Sequence, residues 1–202
     1  MTKPISLTVL DNGPLKVSAD SLTLSYCGEA LDVEAGSDVY ICRCGESKNP
    51  PFCDGSHAKV GFVAEPPTEN KKEIRVWEGK TIRTFFNPNT CMHALYCKPL
   101  KALRARELEG DAEAAAEIAR VVQSCPSGAL NYESTEVEAP AAVEGADIDI
   151  QAGGECRVQR EFEINATPGE RQDMSRATLC RCGLSKNKPW CDGAHKKREN
   201  FR

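Results

Sequence analysis

The pattern of apolar and polar residues along the chain predicts several short strands and one strong helix. Residues 5–10 and 21–26 are β-branched or alternate in polarity, as strands do, and turn residues at 12–14 lie between them. Residues 73–86 predict a hairpin. Residues 111–122 begin with an aspartate that can cap a helix and continue with an apolar stripe at helical spacing. The expected fold class is α+β, mostly small β-sheet with helix in the middle.

An internal repeat organises the chain. Residues 42–57 read CRCGESKNPPFCDGSH, residues 180–195 read CRCGLSKNKPWCDGAH, and 12 of the 16 positions are identical without a gap. Between the copies, Cys91, Cys97 and Cys125 follow the pattern C-x5-C-x27-C-P. We therefore expect a duplicated unit with a third, unrelated cysteine group between its copies.

Composition shifts along the chain predict four segments. The expected boundaries are 1–65 and 151–202 for the units that contain the repeat, 66–133 for the middle unit, and 134–150 for a solvated linker with five acidic residues and no Lys or Arg. Pro66-Pro67 closes the first segment. Each unit is small for an apolar core of its own, so bound metal is expected to stabilise it.

The cysteine content determines which chemistry to expect. The chain has 11 Cys, 3 His and a formal net charge of −4, which argues against non-specific nucleic-acid binding. No apolar run is long enough for a membrane span and no export signal is evident, so we expect a cytoplasmic protein. In a reducing compartment, grouped thiols are expected to bind metal rather than form disulfides. We find no Ser-His-Asp set, phosphate loop or dinucleotide-binding motif, so no substrate chemistry of its own is predicted.

The repeated motif contains a complete set of metal ligands. Cys42 and Cys44, two residues apart on an extended chain, can both reach one iron, while Cys53 and His57 lie four apart as on one helical face. Asp54 is a plausible N-cap for that short helix. Zinc is the alternative to iron, since three cysteines and one histidine are a common structural zinc set. In the second copy the same roles fall to Cys180, Cys182, Cys191, His195 and Asp192.

Both copies resemble the CDGSH iron–sulfur domain, because they match its pattern C-x-C-x2-S-x3-P-x-C-D-G-[SAT]-H throughout. The resemblance implies a [2Fe–2S] cluster in each copy, with two cysteines on the inner iron, and with cysteine and histidine Nδ1 on the outer iron. Ala194 replaces the serine of the family name, which the pattern permits. The implied ligands are Cys42, Cys44, Cys53 and His57 in one copy, and Cys180, Cys182, Cys191 and His195 in the other.

The middle group resembles a ferredoxin motif that lacks one ligand. Bacterial-type ferredoxins use C-x2-C-x2-C with a distant Cys-Pro, and Ala94 stands at the central position here. The three thiols Cys91, Cys97 and Cys125 suit a [3Fe–4S] cluster. The stretch from about 72 to 132 also resembles the divergent single-cluster 4Fe–4S domain that is found fused to CDGSH domains. A [4Fe–4S] cluster is therefore the alternative, and its fourth ligand would be water, His93 or a further cysteine.

The remaining chemistry-bearing residues are expected to have structural or solvated roles. Cys27 and Cys156 precede the two repeats in strand-like segments and are predicted to be buried apolar thiols. Expected to lie in solvent are Arg43, Lys48, Arg181, Lys186 and the basic run 196–198.

Together these observations predict a small electron carrier with three clusters, two [2Fe–2S] and one [3Fe–4S] or [4Fe–4S]. CDGSH relatives with one copy associate as homodimers, so the two copies here are expected to pair within one chain about a pseudo-twofold axis, next to the ferredoxin-like α+β segment. A monomer is then sufficient, and the expected partner is a redox protein. The alternatives are a cluster donor to an apo-acceptor protein, a redox or pH sensor that releases its cluster through histidine, and an oxidoreductase subunit or small enzyme that uses the clusters internally.

Overall fold

The structure, a computed structural model, describes residues 3–65, 72–137, 145–165, 174–199 and 201. Within these ranges no helix is both long and apolar enough to cross a bilayer. The strands are β1 (Ile5–Val9), β2 (Leu15–Ser18), β3 (Leu24–Tyr26), β4 (Glu29–Leu31), β5 (Val39–Ile41), β6 (Arg75–Glu78), β7 (Arg83–Phe86), β8 (Leu130–Glu133), β9 (Ile148–Ile150), β10 (Cys156–Val158), β11 (Phe162–Ile164) and β12 (Ala177–Leu179). The helices are α1 (Ser56–Lys59), α2 (Leu100–Glu109), α3 (Ala114–Gln123) and a 3-10 helix at Ala194–Lys197.

Two sheets combine both halves of the chain, because the second half contributes β11 to one sheet and the first half contributes β3 and β4 to the other. The strand orders are β11-β1-β2-β5 and β12-β10-β9-β3-β4. β11 pairs in parallel with β1, Phe162 opposite Ile5, and β3 pairs in parallel with β9, Leu24 opposite Ile148. The other neighbouring strands of the two sheets are antiparallel. The two copies therefore form an intramolecular pseudo-dimer with an exchanged strand on each side, which confirms the predicted pairing within one chain.

One apolar core serves both of these sheets. Ile5 of β1, Ile148 and Ile150 of β9 and Phe162 of β11 all belong to it and are at most 1% exposed. Full burial of such a side chain stabilises the fold by about 1.5–3 kcal/mol. The two halves thus share a source of stability beyond the bound metal that the sequence analysis expects for each small unit.

The middle part has its own sheet and core. Its strands lie in the order β6-β7-β8, and α2 and α3 pack on them around Ile82, Leu103, Ile118 and Val122. The hairpin predicted at 73–86 is confirmed as β6 and β7, and the predicted helix is confirmed as α3. Helix α2 was not predicted, because its sequence LKALRARELE has no continuous apolar stripe.

Two local expectations need correction. Asp111 does not cap α3, since the N-cap residue is Glu113; the Asp111 carboxylate instead accepts the backbone N–H of Glu113 at 3.0 Å. The turn at 12–14 joins β1 to β2, a strand that was not predicted, rather than to the strand at 21–26. Both errors leave the layout of the sheets unchanged.

The expected linker at 134–150 is described only in part. Its residues 138–144, like Pro66-Pro67, lie outside the described residues. Its last three residues, Ile148–Ile150, form strand β9 instead of solvated chain, because both isoleucines are fully buried in the shared core.

Candidate metal centres

The first repeat brings its four predicted ligands together at the end of β5. We call Cys42, Cys44, Cys53 and His57 the first site. The sulfur atoms of Cys42 and Cys44 are 3.6 Å apart, and Cys53 Sγ lies 3.3 Å from Nδ1 of His57. The Cys42 N–H donates to the carbonyl of Pro51, and that of Cys53 to the carbonyl of Tyr40. These bonds fold the second half of the motif back onto the first.

Side chains of the motif hold this loop. Ser47 Oγ donates to the carbonyl of Phe52 at 2.6 Å. The Asp54 carboxylate accepts the N–H groups of Lys48 at 2.9 Å and Ser56 at 3.0 Å, and these bonds keep the pKa of Asp54 well below its usual value. Asp54 is thus a bridge across the loop and not the expected N-cap, which is Gly55.

The second repeat reproduces this geometry. We call Cys180, Cys182, Cys191 and His195 the second site. The sulfur atoms of Cys180 and Cys182 are 3.7 Å apart, and Cys191 Sγ lies 3.4 Å from Nδ1 of His195. Asp192 accepts two backbone N–H groups at 3.0 Å, as Asp54 does in the first copy. The sixteen-residue repeat is therefore one structural unit that is used twice.

Backbone N–H groups point at the sulfur atoms of the second site. The N–H of Gly193 lies 3.3 Å from Cys191 Sγ, and that of Leu184 lies 3.5 Å from Cys182 Sγ. Gly193 is the N-cap residue of the 3-10 helix at Ala194–Lys197, and Leu184 lies two residues after Cys182. An N–H directed at sulfur favours the anionic thiolate, which is the form that binds metal.

The ligand atoms are arranged in two pairs rather than in one tetrahedron. A zinc ion with Zn–S bonds of about 2.3 Å would hold every pair of sulfur donors about 3.8 Å apart. Each site has a close thiol pair and a close thiol–imidazole pair, yet among the described residues no three of the four ligand atoms lie within 4.8 Å of one another. Two donors for each of two metal ions is the arrangement that a [2Fe–2S] cluster requires, so the residues present fit that group.

Burial keeps one thiol of each repeat site protonated at neutral pH when no metal is bound. Burial raises the pKa of Cys44 to about 11 and that of Cys191 to about 12. The hydrogen bond between Cys180 and Cys182 lowers the pKa of Cys180 and raises that of Cys182. Metal binding must therefore release protons, so affinity falls as the solution becomes more acidic.

Two arginines expected in solvent are buried behind the thiols. Arg43 donates from Nη1 to the carbonyls of Leu10 and Gly13 at 3.1 and 3.2 Å, and Arg181 donates to the equivalent carbonyls of the second copy at 3.3 Å. Each guanidinium ties the thiol turn to the preceding hairpin. Burial lowers the pKa of Arg43, and the neighbouring charge of Cys180 opposes that shift. Lys48 and Lys186 are exposed, as expected.

Two charged residues beside the second site were missed by the sequence analysis. Glu155 is 3% exposed, and its carboxylate lies 3.6 Å from Nε2 of His195. Lys188 is also buried and donates from Nζ to the carbonyl of Ser185 at 2.7 Å. A signal for Lys188 existed, since proline occupies its place in the first copy. None existed for Glu155, because it lies outside the repeat.

The middle site consists of Cys91, Cys97 and Cys125, and its thiols differ in exposure. Cys91 is half-buried, Cys97 is exposed and Cys125 is buried at the end of α3. Burial raises the pKa of Cys91, and the charges of Cys125 and Cys97 add to that shift. His93 is exposed, with Nδ1 3.9 Å from Cys91 Sγ. Ser127 Oγ lies 3.6 Å from Cys125 Sγ.

The two cysteines outside the three sites differ from each other. Cys156 is fully buried in β10, as expected, and burial raises its pKa to about 12. Cys27 is exposed in the turn after β3, contrary to expectation, with a φ of 55°. All eleven cysteines are free thiols.

Comparisons with known proteins agree with this geometry. The family model described as "Iron-binding zinc finger CDGSH type" matches residues 12–58 and 138–196, together more than half of the chain. The model described as "Divergent 4Fe-4S mono-cluster" matches residues 77–135 between them. No curated protein and no solved structure matches. The chain is an iron–sulfur protein that belongs to the CDGSH-type iron-binding family, and its two CDGSH regions flank a divergent 4Fe–4S region.

Proposed function

We propose that this protein is an electron carrier with a [2Fe–2S] cluster in each repeat site and a third cluster in the middle site. The division of each repeat site into a thiol pair and a thiol–imidazole pair carries the proposal. A bound [2Fe–2S] cluster supplies reversible one-electron redox chemistry. The ligands proposed are Cys42, Cys44, Cys53 and His57 in the first site, and Cys180, Cys182, Cys191 and His195 in the second.

The histidine sets both the charge and the stability of each repeat site. A neutral imidazole in place of a fourth thiolate makes the site less negative by one charge, which favours uptake of an electron. A protonated imidazole no longer binds metal, so a site with one histidine is sensitive to mild acid. The same histidine therefore serves electron transfer through its neutral charge, and would serve cluster donation or pH sensing through its protonation.

For the middle site we propose Cys91, Cys97 and Cys125 as ligands of a [3Fe–4S] cluster, with [4Fe–4S] as the alternative that the family description supports. In a cubane each iron takes one protein ligand. His93 Nδ1 lies 3.9 Å from Cys91 Sγ and Ser127 Oγ lies 3.6 Å from Cys125 Sγ, so both donors sit beside a thiol that is already assigned. Water is therefore the favoured ligand of a fourth iron.

Iron and sulfide analysis combined with electron paramagnetic resonance tests this assignment. Protein purified without oxygen should contain about seven or eight irons per chain, two from each repeat site and three or four from the middle site. A [3Fe–4S] cluster gives a signal in the oxidised state, whereas a [4Fe–4S] cluster is silent until it is reduced. Colourless protein with zinc and no acid-labile sulfide would contradict the proposal.

The proposed assembly is a monomer with an internal pseudo-twofold axis. The exchanged strands support it, because they pair the two copies within one chain. The proposed location is the cytoplasm, where grouped thiols stay reduced and can bind metal. The proposed partner is a redox protein for electron transfer. An apo-acceptor protein would take its place if cluster donation were the function, and the half-buried Cys53 and His57 of the first site favour this second candidate.

A further inference from the structure

The twin sites have the same ligands but different surroundings. The loop at 89–93, which includes Cys91 of the middle site, packs against the second repeat. The side-chain amide of Asn187 donates to the carbonyl of Asn89, and Nζ of Lys196 lies 3.4 Å from the carbonyl oxygen of His93. We call this loop the cover of the second site.

The space beside two equivalent glycines, Gly55 and Gly193, shows how the surroundings of the two sites differ. Both have a φ of 82°, and each follows the aspartate of its motif. A Cβ atom at Gly193 would lie 2.9 Å from the carbonyl oxygen of Met92, in the cover. A Cβ atom at Gly55 would meet no described atom within 4 Å. The glycine next to the ligand loop is therefore in contact with the middle part of the chain in the second site, whereas its counterpart in the first site has no such neighbour among the described residues.

The exposure of the ligands follows the same division. Cys191 is 3% exposed and His195 is 9% exposed, whereas Cys53 and His57 are only half-buried. Glu155 adds to the enclosure, since its buried carboxylate faces Nε2 of His195.

The middle part, to which the cover belongs, makes a second set of contacts with the second half of the chain. Arg176, just before β12, donates from Nη1 to the carbonyls of Val122 at 2.9 Å and Cys125 at 3.3 Å. Its other nitrogen, Nη2, donates to the carbonyl of Leu130 at 3.3 Å. The middle part is thus anchored to the second repeat at the end of α3 as well as at the cover.

We infer that the two repeat sites have different roles. The first site is the exchange site, which reagents and partners reach from solvent, and the second site retains its cluster beneath the cover. This inference rests on the proposed function, and it adds which of the two sites is open to exchange.

Release of iron to a hydrophilic ferrous chelator at neutral pH measures access to each site. Dithionite supplies the electrons that bring ferric ions to the ferrous state, and the chelator binds the two ferrous ions of a site. The two bridging sulfides leave as hydrosulfide with protons from water, and the freed cysteines take up protons. Reduction itself weakens the visible absorption, so dithionite is added first and the chelator only when reduction is complete. The remaining [2Fe–2S] absorption should then be lost in two phases, with the faster phase from the first site.

Two variants label the phases. His57→Cys should change the visible spectrum of the fast phase, and His195→Cys that of the slow phase, because each alters the ligand of one cluster. A single phase, or a fast phase that carries the spectral change of His195→Cys, would overturn the inference. Protein that contains zinc and no sulfide would instead overturn the proposed function, and the two failures are therefore distinguishable.

Asn187→Ala tests the cover itself, and Asn49→Ala is its matched control in the first copy. Loss of one hydrogen bond worth about 1 kcal/mol should accelerate the slow phase about fivefold. Asn49→Ala should leave both phases unchanged. Lys196→Ala, which gives the second copy the alanine that the first copy has at the equivalent position 58, provides an independent variant with the same expected direction. An unchanged slow phase in both cover variants would contradict a role for the cover.

Discussion

At the scale of single residues, the aspartate of each repeat connects sequence to site geometry. Asp54 and Asp192 each accept two backbone N–H groups across the ligand loop, and these bonds fix the third cysteine of each site relative to the first two. A carboxylate that receives such bonds is favoured in its charged form. Its contribution should therefore depend on pH in a predictable direction.

We expect Asp54→Asn to lower the stability of the first site by a constant amount between pH 8 and pH 5. Because the pKa of Asp54 is lowered in the folded protein, its contribution is complete above the unfolded pKa of about 4 and is lost as pH falls below that value. Urea unfolding of the variant and wild type at several pH values measures the gap. A gap that closes already between pH 8 and pH 5 would show that another group is responsible.

The histidine ligands allow a second prediction at this scale. Replacing His57 or His195 with Cys adds a negative charge to one site, so the potential of that site should fall by about 100–300 mV. Loss of its cluster in mild acid should also become slower, because the protonatable imidazole is gone. Redox titration and absorbance after a pH jump give the two values. The unmodified site in the same chain is the internal control, and no change in either property would refute the ligand assignment.

At the scale of elements, the exchanged strands make the two repeat sites depend on one another. Phe162 of β11 comes from the second half of the chain, yet it lies opposite Ile5 in the sheet that supports the first site. Its side chain is 1% exposed in the core that both sheets share. A substitution of Phe162 that weakens this core should therefore destabilise both repeat sites.

We expect Phe162→Ala to lower the free energy of unfolding by about 3–5 kcal/mol, as is usual for removal of a buried aromatic ring. Both repeat clusters should be lost in the same denaturant range, because they share the core. Val63→Ala, at a position that is 60% exposed, is the control and should change little. Denaturation followed by visible absorption provides the measurement. Loss of the second cluster alone would contradict the shared core.

Local patterns in the sequence were enough to predict the strands and helices whose own residues show a clear periodicity. β1, β3, the hairpin of β6 and β7 and helix α3 all have clear periodicity or turn residues, and all were predicted. The exchange of β3 and β11 could not be predicted in this way, because it pairs residues more than 120 positions apart, such as Leu24 and Ile148. Alternation of side chains identifies a strand but does not name its neighbour.

For the candidate sites too, the sequence predicts what lies within the motif but not the contacts that folding brings from elsewhere. The repeat contains all the proposed ligands of the first and second sites, so these were found from the sequence. The burial of Arg43 and Arg181 was not, because it depends on backbone carbonyls that approach only in the folded chain. The approach of Glu155 to His195 likewise depends on the pairing of β9 with β10, which lies outside the motif.

At the scale of the whole molecule, one residue near the end of the chain joins the two thiol turns. Arg198 donates from Nη1 to the carbonyl of Cys44 at 3.2 Å and to that of Cys182, and from Nη2 to the carbonyl of Gly45 at 3.2 Å. The sequence analysis placed Arg198 in a solvated tail, and this is wrong, since it is half-buried between the copies.

We expect Arg198→Ala to accelerate cluster loss at both repeat sites and to lower the free energy of unfolding by about 1–3 kcal/mol, because three part-buried carbonyls lose a charged donor. Lys197→Ala, at the exposed neighbouring position, should have little effect on either quantity. Chelator release and chemical denaturation measure the two effects. A response confined to the second site would show that the contact with Cys44 does not matter.

The placement of both copies in one polypeptide has a further consequence. In a symmetric dimer of identical chains, every substitution falls on both halves at once. Here equivalent positions of the two copies differ: Glu155 corresponds to Pro14, and Lys188 corresponds to Pro50. Selection can therefore adjust one centre while it leaves its twin untouched, and an experimenter can do the same with a single codon.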